Sequence, residues 1–483
     1  MEKKQEFFLK GAIWITLLSL IAIPCSLYLN WILGFFDANG ETLGRYVLLI
    51  IFFNTITTFV LCGGSNVITN FLPKIEKSSD QGKFMFTYLL LCVILLVITD
   101  VIFYFCSDFS EFIFGNNLDE NDKVTLLILS PLIVLSQIII FEVQGKMHFS
   151  KAAIFNNLQV ILMSLFATLL FFIGKEYVIE NNLKVFSGVL AIIYVIIILF
   201  GIRRKTFVVG IYYNKRILEF LTYSFGNTIN SYLFMNFDKI LVAKYIGLKE
   251  LGIYYVLIQI STLLKFLSVK IGQVLLSSFS NFVHHKDLDL LKKTYTQVCQ
   301  LLILISTSLS IFLICVSIFL SDIFGVRYDV SSSIMLMILV LAGNFANIGS
   351  INSMLILAKE KNKYFFLSNV LLIISQIIFT LLFIEKYEIW AVVFGRVIGI
   401  ITGQIGLFII LNKMDIIKVS KDYYKSQIVI IISTSLGALY FYSPFPIYVF
   451  LILQLFCLLL FVRISEVNIY SYLVKFKGVI LKR

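Results

Sequence analysis

The chain has 483 residues, of which 59% are hydrophobic and only 14% are charged, and its formal net charge is +12. A soluble domain carries roughly 25% charged residues, so this composition excludes an ordinary soluble protein. Apolar runs of about 20 residues recur along the chain, which is the length that crosses a ~30 Å hydrocarbon core as a helix. The sequence does not show the short alternating segments of a transmembrane β-barrel. We predict an all-α polytopic membrane protein.

The apolar runs predict about fourteen transmembrane helices. The first run follows the basic segment MEKKQEFFLK, is too long for a signal peptide, and has no cleavage site after it. The predicted spans cover residues 11–32, 45–70, 84–106, 124–144, 152–174, 184–203, 218–237, 251–279, 294–320, 332–357, 364–384, 389–411, 426–443 and 446–462.

The basic residues predict how these spans are oriented. If the N-terminus is cytoplasmic, most of the 40 lysines and arginines fall in cytoplasmic segments, as the positive-inside rule requires. Acidic residues favour the other side, as in the predicted outer loop SDFSEFIFGNNLDENDK. We therefore predict an even number of spans with both termini in the cytoplasm. The positive net charge reflects this orientation, and no nucleic-acid partner is predicted.

The loops between the spans carry no sign of an enzyme. They are short, and the sequence has no P-loop, kinase or hydrolase signature. The seven cysteines lie in or beside apolar segments without a CxxC pair, and the three histidines fall in predicted cytoplasmic loops. We predict no enzyme activity, no cofactor and no metal site.

Two similar strings indicate an internal repeat. Leu43-Gly44-Arg45-Tyr46 opens the second span, and Leu251-Gly252-Ile253-Tyr254 opens the eighth. The spans also end alike, in ITNFLPK and FSNFVHH, although Leu-Gly-x-Tyr could recur simply because it starts helices well. A duplication predicts two pseudo-symmetric six-helix lobes, residues 1–205 and 206–415, followed by two further transmembrane helices in residues 416–483. Lobes of equal topology would be related by an axis along the membrane normal.

The stretch EFLTYSFGNTINSYLFMNFDKILVAKYIGLKELGIYYV, residues 219–256, resembles the polysaccharide-exporter signature, and LNWILGFFDANGETLGRYVLL is similar to its first-repeat counterpart. The chain thus resembles the Wzx-type flippases of the multidrug/oligosaccharidyl-lipid/polysaccharide exporter superfamily. The resemblance implies two lobes that rock around a central cavity in the bacterial cytoplasmic membrane. It implies a substrate of undecaprenyl-pyrophosphate carrying an O-antigen or capsule repeat unit, with a polysaccharide polymerase and a chain-length regulator as partners.

Such a substrate needs cations for its phosphates and amide or hydroxyl groups for its sugars. Lys265, near the middle of span eight, and Arg396, in span twelve, are the main candidates for phosphate binding. The alternative for Lys265 is an interhelical salt bridge or a snorkelling stem, and Arg396 could instead reach an outer-side carboxylate. The further substrate-binding candidates are Arg45, which could instead face the headgroups, Thr262 and Gln273. The amides that could line a sugar path, or bond neighbouring helices, are Asn54, Asn157, Asn227, Asn230, Asn344, Asn347, Asn352 and Gln376.

Two carboxylates are candidates for ion coupling. Asp100 lies in the outer half of span three, where burial could favour its protonated form. Asp238, at the end of span seven, could instead form a helix-terminal ion pair with Lys239.

A multidrug or cation antiporter of the MATE type on the same fold is the alternative function. Such proteins usually hold a carboxylate in the first lobe, whereas spans one and two have no acid at depth here. The charges within the predicted spans are mostly cationic, which favours an anionic substrate.

Overall fold

In the computed structural model of the protein, the described residues are 21–36 except 23, 41–106, 111, 119–146, 148–202, 206–284, 287–325, 328–359, 362–413, 421–443 and 446–464. Between 266 and 282, side chains are described only for Ser268 and Phe279. The described residues are almost all helical, and none of them forms a strand.

The helices succeed one another with short connections. In chain order they are α1 (24–34), α2 (Glu41–Leu61), α3 (Gly64–Phe71), α4 (Ser78–Phe105), α5 (Glu120–Gly145), α6 (Phe149–Ile173), α7 (Lys175–Gly201), α8 (Lys215–Tyr245), α9 (Leu248–His284), α10 (Leu288–Ile318), α11 (Leu320–Phe324), α12 (Val330–Ala358), α13 (Asn362–Tyr387), α14 (Ile389–Lys413), α15 (Lys421–Tyr442) and α16 (Ile447–Ile464).

Nine helices in the described part of the chain are long and apolar enough to cross a membrane, and residues 447–463 form a shorter apolar helix. The prediction of an all-α polytopic membrane protein is confirmed. The count of fourteen spans stays a prediction.

The second predicted span is two helices, because the chain breaks between α2 and α3. Cys62 and Gly63 both have positive φ, at 45° and 73°. Gly63 also lies against α8, where an added Cβ would meet the Ser224 hydroxyl oxygen at 2.4 Å. The Ser224 hydroxyl donates to the Gly63 carbonyl at 3.0 Å, which satisfies a backbone group that the break releases from the helix.

The contacts divide the chain into two compact units. Unit 1 comprises residues 1–256 and 384–392, and unit 2 comprises residues 257–383 and 393–483. In unit 1, α5 packs against α2, α3, α4, α6 and α7, while α8 packs against α2 and α3. Polar contacts join α2 to α8: Asn54 donates to Asn236 at 3.0 Å, and the Thr55 and Tyr232 hydroxyls lie 2.7 Å apart.

Unit 2 is built around α10, which packs against α12, α15 and α16. Its core includes Phe279, Leu302, Ile351 and Phe461. The hydroxyls of Thr307 on α10 and Ser426 on α15 lie 2.6 Å apart. The last two apolar helices are therefore packed into unit 2 through α10.

The first repeated string contacts the start of α9, the helix that carries the second string, in unit 1. Leu43 and Leu251, the first residues of the strings, are both buried. A Cβ on Gly44 would lie 2.1 Å from the Leu248 carbonyl oxygen, so the starts of α2 and α9 are in backbone contact. This contact requires glycine at position 44.

Gly44→Ala is expected to lower the unfolding free energy by about 1–3 kcal/mol, because a methyl group must push two backbones apart. Gly188→Ala is the matched control, since nothing lies within 4 Å of a Cβ at Gly188 in α7. Thermal unfolding of the two purified variants in the same detergent measures their stabilities. Equal midpoints for the two variants would mean that the contact has no role in stability.

Candidate functional site

Two cations lie inside unit 2. Lys265 on α9 is half-buried, and Arg396 on α14 is 3% exposed. The two side chains are close enough for their like charges to interact. No Asp or Glu occurs in α12 or in the unit 2 segments of α9, α13 and α14. The charges that these segments place at membrane depth are therefore positive.

Buried amides in unit 2 have hydrogen-bonding atoms with no partner in the part of the chain that the structure describes. Asn347 on α12 accepts from the Ser268 hydroxyl at 3.2 Å, but its side-chain nitrogen has no partner among the described residues. Neither side-chain polar atom of Gln376 on α13 has a described partner. A buried unpaired polar group costs roughly 1–3 kcal/mol, so such groups call for water or a polar ligand. The other unit 2 amides with such an atom are Asn344, Asn352, Gln404 and Gln427.

A glycine series brings α14 against α13 beside Arg396. Added Cβ atoms on Gly395, Gly399 and Gly403 would come within 2.1–2.9 Å of Thr380, Gln376 and Leu372. Glycine at these three positions lets the two helices approach closely. The contact holds α14, and with it the backbone of Arg396, firmly against α13.

The other predicted substrate-binding residues are less informative. Thr262 is half-buried, and its hydroxyl donates to the Gln259 carbonyl at 2.8 Å within α9. Arg45 is half-buried near the start of α2, in unit 1. Gln273 lies on α9, but its side chain is outside the described residues. Lys265 and Arg396 are the two predicted site residues that the structure brings together.

Asp100 on α4 lies against α5 in unit 1. Its Oδ2 is 2.8 Å from the Ser130 hydroxyl, while its Oδ1 is buried without a hydrogen-bond partner among the described residues. The Ser130 hydroxyl is also 3.0 Å from the Leu127 carbonyl oxygen. That carbonyl lacks its usual helical donor, because the residue four positions on is Pro131, which has no N–H.

While Asp100 is ionised, this arrangement has two acceptors but only one hydrogen to share between them. The Ser130 hydroxyl has a single hydrogen, and both the carboxylate and the Leu127 carbonyl compete for it. When Asp100 is protonated, its O–H donates to Ser130 and the Ser130 hydroxyl donates to Leu127. Protonation therefore completes the hydrogen bonding between α4 and α5. The Ser130–Pro131 pair was not singled out from the sequence, although a serine before a helical proline was a usable signal.

Asp238 near the end of α8 is 1% exposed, and both of its carboxylate oxygens accept hydrogen bonds. The Tyr254 hydroxyl donates to its Oδ2 at 2.6 Å, and the Lys239 backbone N–H donates to its Oδ1 at 2.8 Å. The Lys239 ammonium lies over the Tyr255 ring, 5.4 Å from its centroid. These contacts tie the end of α8 to the start of α9.

Among the residues that the structure describes, no three His, Cys, Asp or Glu side chains form a group that could hold a metal ion.

The fold is similar to that of solved membrane transporters. A multidrug resistance MATE family transporter of the MOP superfamily, inward-facing, superposes with a TM-score of 0.64 over 84% of this chain and 98% of that one, at 13% identity. The outward-facing form of such a transporter superposes with a TM-score of 0.55 over 84% of this chain and 95% of that one, also at 13% identity. A MOP superfamily transporter from Pyrococcus furiosus superposes with a TM-score of 0.56 over 84% of this chain and 95% of that one, at 15% identity. The chain thus has the fold of these multi-pass membrane proteins.

No curated protein matches the chain in sequence. The family model of polysaccharide biosynthesis proteins matches residues 40–333, which is more than half of the chain. The chain therefore belongs to the polysaccharide biosynthesis protein family. The resemblance to polysaccharide exporters seen in the sequence is confirmed at the level of this family.

Proposed function

We propose that the protein is a flippase that moves undecaprenyl-pyrophosphate-linked oligosaccharide repeat units, for O-antigen or capsule, across the bacterial cytoplasmic membrane. The observation that carries this proposal is the pair of cations Lys265 and Arg396, on helices that contain no acidic residue at depth. Two like charges placed together in a membrane are costly, and a pyrophosphate group would offset both.

The buried amides of unit 2 are suited to bind the sugar hydroxyls of the substrate. Amides such as Asn347 and Gln376 have donors and acceptors without described partners, and sugar hydroxyls can satisfy both kinds. The prenyl tail would stay in lipid, since moving it through a polar interior would lose its hydrophobic stabilisation.

The transport cycle that we propose is alternating access by the two predicted six-helix lobes, residues 1–205 and 206–415, with residues 416–483 as additional helices. Both termini would be cytoplasmic. The product would be delivered to the outer side, where a polysaccharide polymerase and a chain-length regulator would be the partners.

We propose Asp100 as the ion-coupling residue, with a proton as the coupling ion. Its hydrogen-bond network is completed only when it is protonated, so proton binding would strengthen the contact between α4 and α5. Asp238 is a second candidate, but its carboxylate already accepts from Tyr254 and the backbone.

The alternative is a MATE-type antiporter, since several proteins of similar fold are multidrug transporters. The MOP superfamily transporter from Pyrococcus furiosus is described as having a binding pocket of reverse polarity that suggests a different function. This description supports inferring the substrate from the charge of the binding site rather than from the fold. The cationic site favours an anionic substrate over a cationic drug.

Deleting the gene and following lipid-linked repeat units separates the two functions. We expect these units to accumulate on the cytoplasmic side and surface polysaccharide to be lost, with recovery when the gene is restored. Normal surface polysaccharide together with reduced dye efflux would instead support the antiporter.

A further inference from the structure

A groove of about 370 Å³ lies between α13 and α14 in unit 2. Leu367, Leu371 and Ile409 line it and are 46–51% exposed, so the groove is apolar and open at the protein surface. Both helices are among those long and apolar enough to cross a membrane. An open apolar groove on such helices faces lipid tails rather than water.

The groove exists because α13 and α14 separate toward one end. An added Cβ on Gly403 would lie 2.9 Å from Leu372, so the helices touch at that level. At Gly406, one turn further on, the nearest atoms to a Cβ are Ser368 Oγ at 3.6 Å and Leu371 Cδ1 at 3.7 Å, which is ordinary contact distance. The small residue at position 406 thus leaves room for a hydrocarbon chain.

One end of the groove is basic and amphipathic. Lys413, the last residue of α14, and Tyr364, in the first turn of α13, both line it. Lys363 directly precedes Tyr364 and is exposed. Tyrosine and lysine at a helix end mark the headgroup level of a bilayer. A cation at this level fits a lipid phosphate.

We propose that this groove is a binding site for an anionic glycerophospholipid. One acyl chain lies along Leu367, Leu371 and Ile409, beside Gly406, and the phosphate binds the Lys413 ammonium. The apolar walls provide affinity for the chain, and the lysine provides preference for a negatively charged headgroup. The site is independent of the polar interior of unit 2 and of the substrate proposed above.

Native mass spectrometry of the purified full-length protein with defined lipids tests the site. Dioleoylphosphatidylglycerol should be retained about fivefold more strongly than dioleoylphosphatidylcholine, as expected for one cation near the headgroup. Lys413→Gln should remove this preference while leaving one lipid bound. Gly406→Leu should fill the groove and remove the bound lipid of either headgroup.

Two control variants separate this site from general lipid contact. Lys293→Gln removes an exposed lysine in the first half of α10, and Ile405→Phe adds bulk to an exposed position of α14 that does not line the groove. Both should bind like the unchanged protein. Unchanged lipid retention in Gly406→Leu, or an unchanged headgroup preference in Lys413→Gln, would overturn the proposal. Displacement of phosphatidylglycerol by an equal amount of undecaprenyl phosphate would also overturn it, because the groove would then hold the isoprenoid carrier.

Discussion

Lys265→Ala is expected to reduce transport of the lipid-linked substrate by about ten- to a hundredfold, while the protein still folds and inserts. A hydrogen bond to a charged group contributes about 1.5–3 kcal/mol, which corresponds to this loss. Lys265→Arg keeps the positive charge at the same depth and is expected to retain most of the transport. Arg396→Gln should resemble Lys265→Ala, because both cations would act on one anionic group.

The thermal stability of these variants distinguishes binding from structure. Burial of the Lys265 ammonium is costly, and the nearby charge of Arg396 adds repulsion, so Lys265→Ala removes both costs. We expect Lys265→Ala to unfold at the same temperature as the unchanged protein or above it. A structural ion pair would behave in the opposite way, since breaking it leaves a buried charge without compensation.

Flipping of a fluorescent lipid-linked oligosaccharide in proteoliposomes provides the transport measurement. Lys270→Ala is the matched control, because it removes another lysine of the same predicted span, five residues further along the chain. Full transport by Lys265→Ala at normal protein level would remove Lys265 from the site. A large loss in Lys270→Ala as well would indicate a general need for positive charge.

Asp100→Asn is expected to uncouple transport from the proton gradient. Asparagine can donate to the Ser130 hydroxyl as a protonated carboxyl does, so the variant holds the protonated hydrogen-bond pattern permanently. The fold should be retained, whereas the acceleration of transport by an imposed pH gradient should fall at least about tenfold, a loss of about 1.4 kcal/mol in coupling.

Initial rates of substrate flipping with and without a pH gradient measure this effect. Ser130→Ala is the informative companion, because it leaves both Asp100 Oδ2 and the Leu127 carbonyl without their described donor. We expect reduced stability and weakened coupling in that variant. If Asp100→Asn keeps the full response to the gradient, the coupling proton binds elsewhere, and Asp238 is then the carboxylate to replace.

The fold class was predictable because each helix that crosses lipid must be apolar over most of its length. The break after α2 was not predicted, since the run from 45 to 70 is apolar over most of its length. The dipeptide Gly63-Gly64 was a signal for a break, but Cys62 at positive φ gives none. The Ser224 hydroxyl that supports the break comes from a helix some 160 residues further on.

The candidate site was predictable in its residue types and less so in its geometry. A charge at membrane depth is rare enough to be noticed in a sequence, and Lys265, Arg396 and Asp100 were found in this way. Their partners were harder to find, because serine, threonine and amide side chains occur throughout the helices. The role of Ser130 is visible only from its neighbours, the Asp100 carboxylate and the Leu127 carbonyl.

The sequence by itself determined that this chain is a helical membrane protein of the polysaccharide biosynthesis family, with cationic charge in its second half. It could do so because hydropathy, charge and short motifs are local properties of the chain. The tertiary structure alone decided that Gly44 contacts Leu248 at the start of α9 and that Lys265 and Arg396 lie within reach of each other's charge. It also decided that α13 and α14 are less closely packed at Gly406 than at Gly403. Those outcomes depend on how distant helices pack, and helix packing is set by shape complementarity across the whole interface.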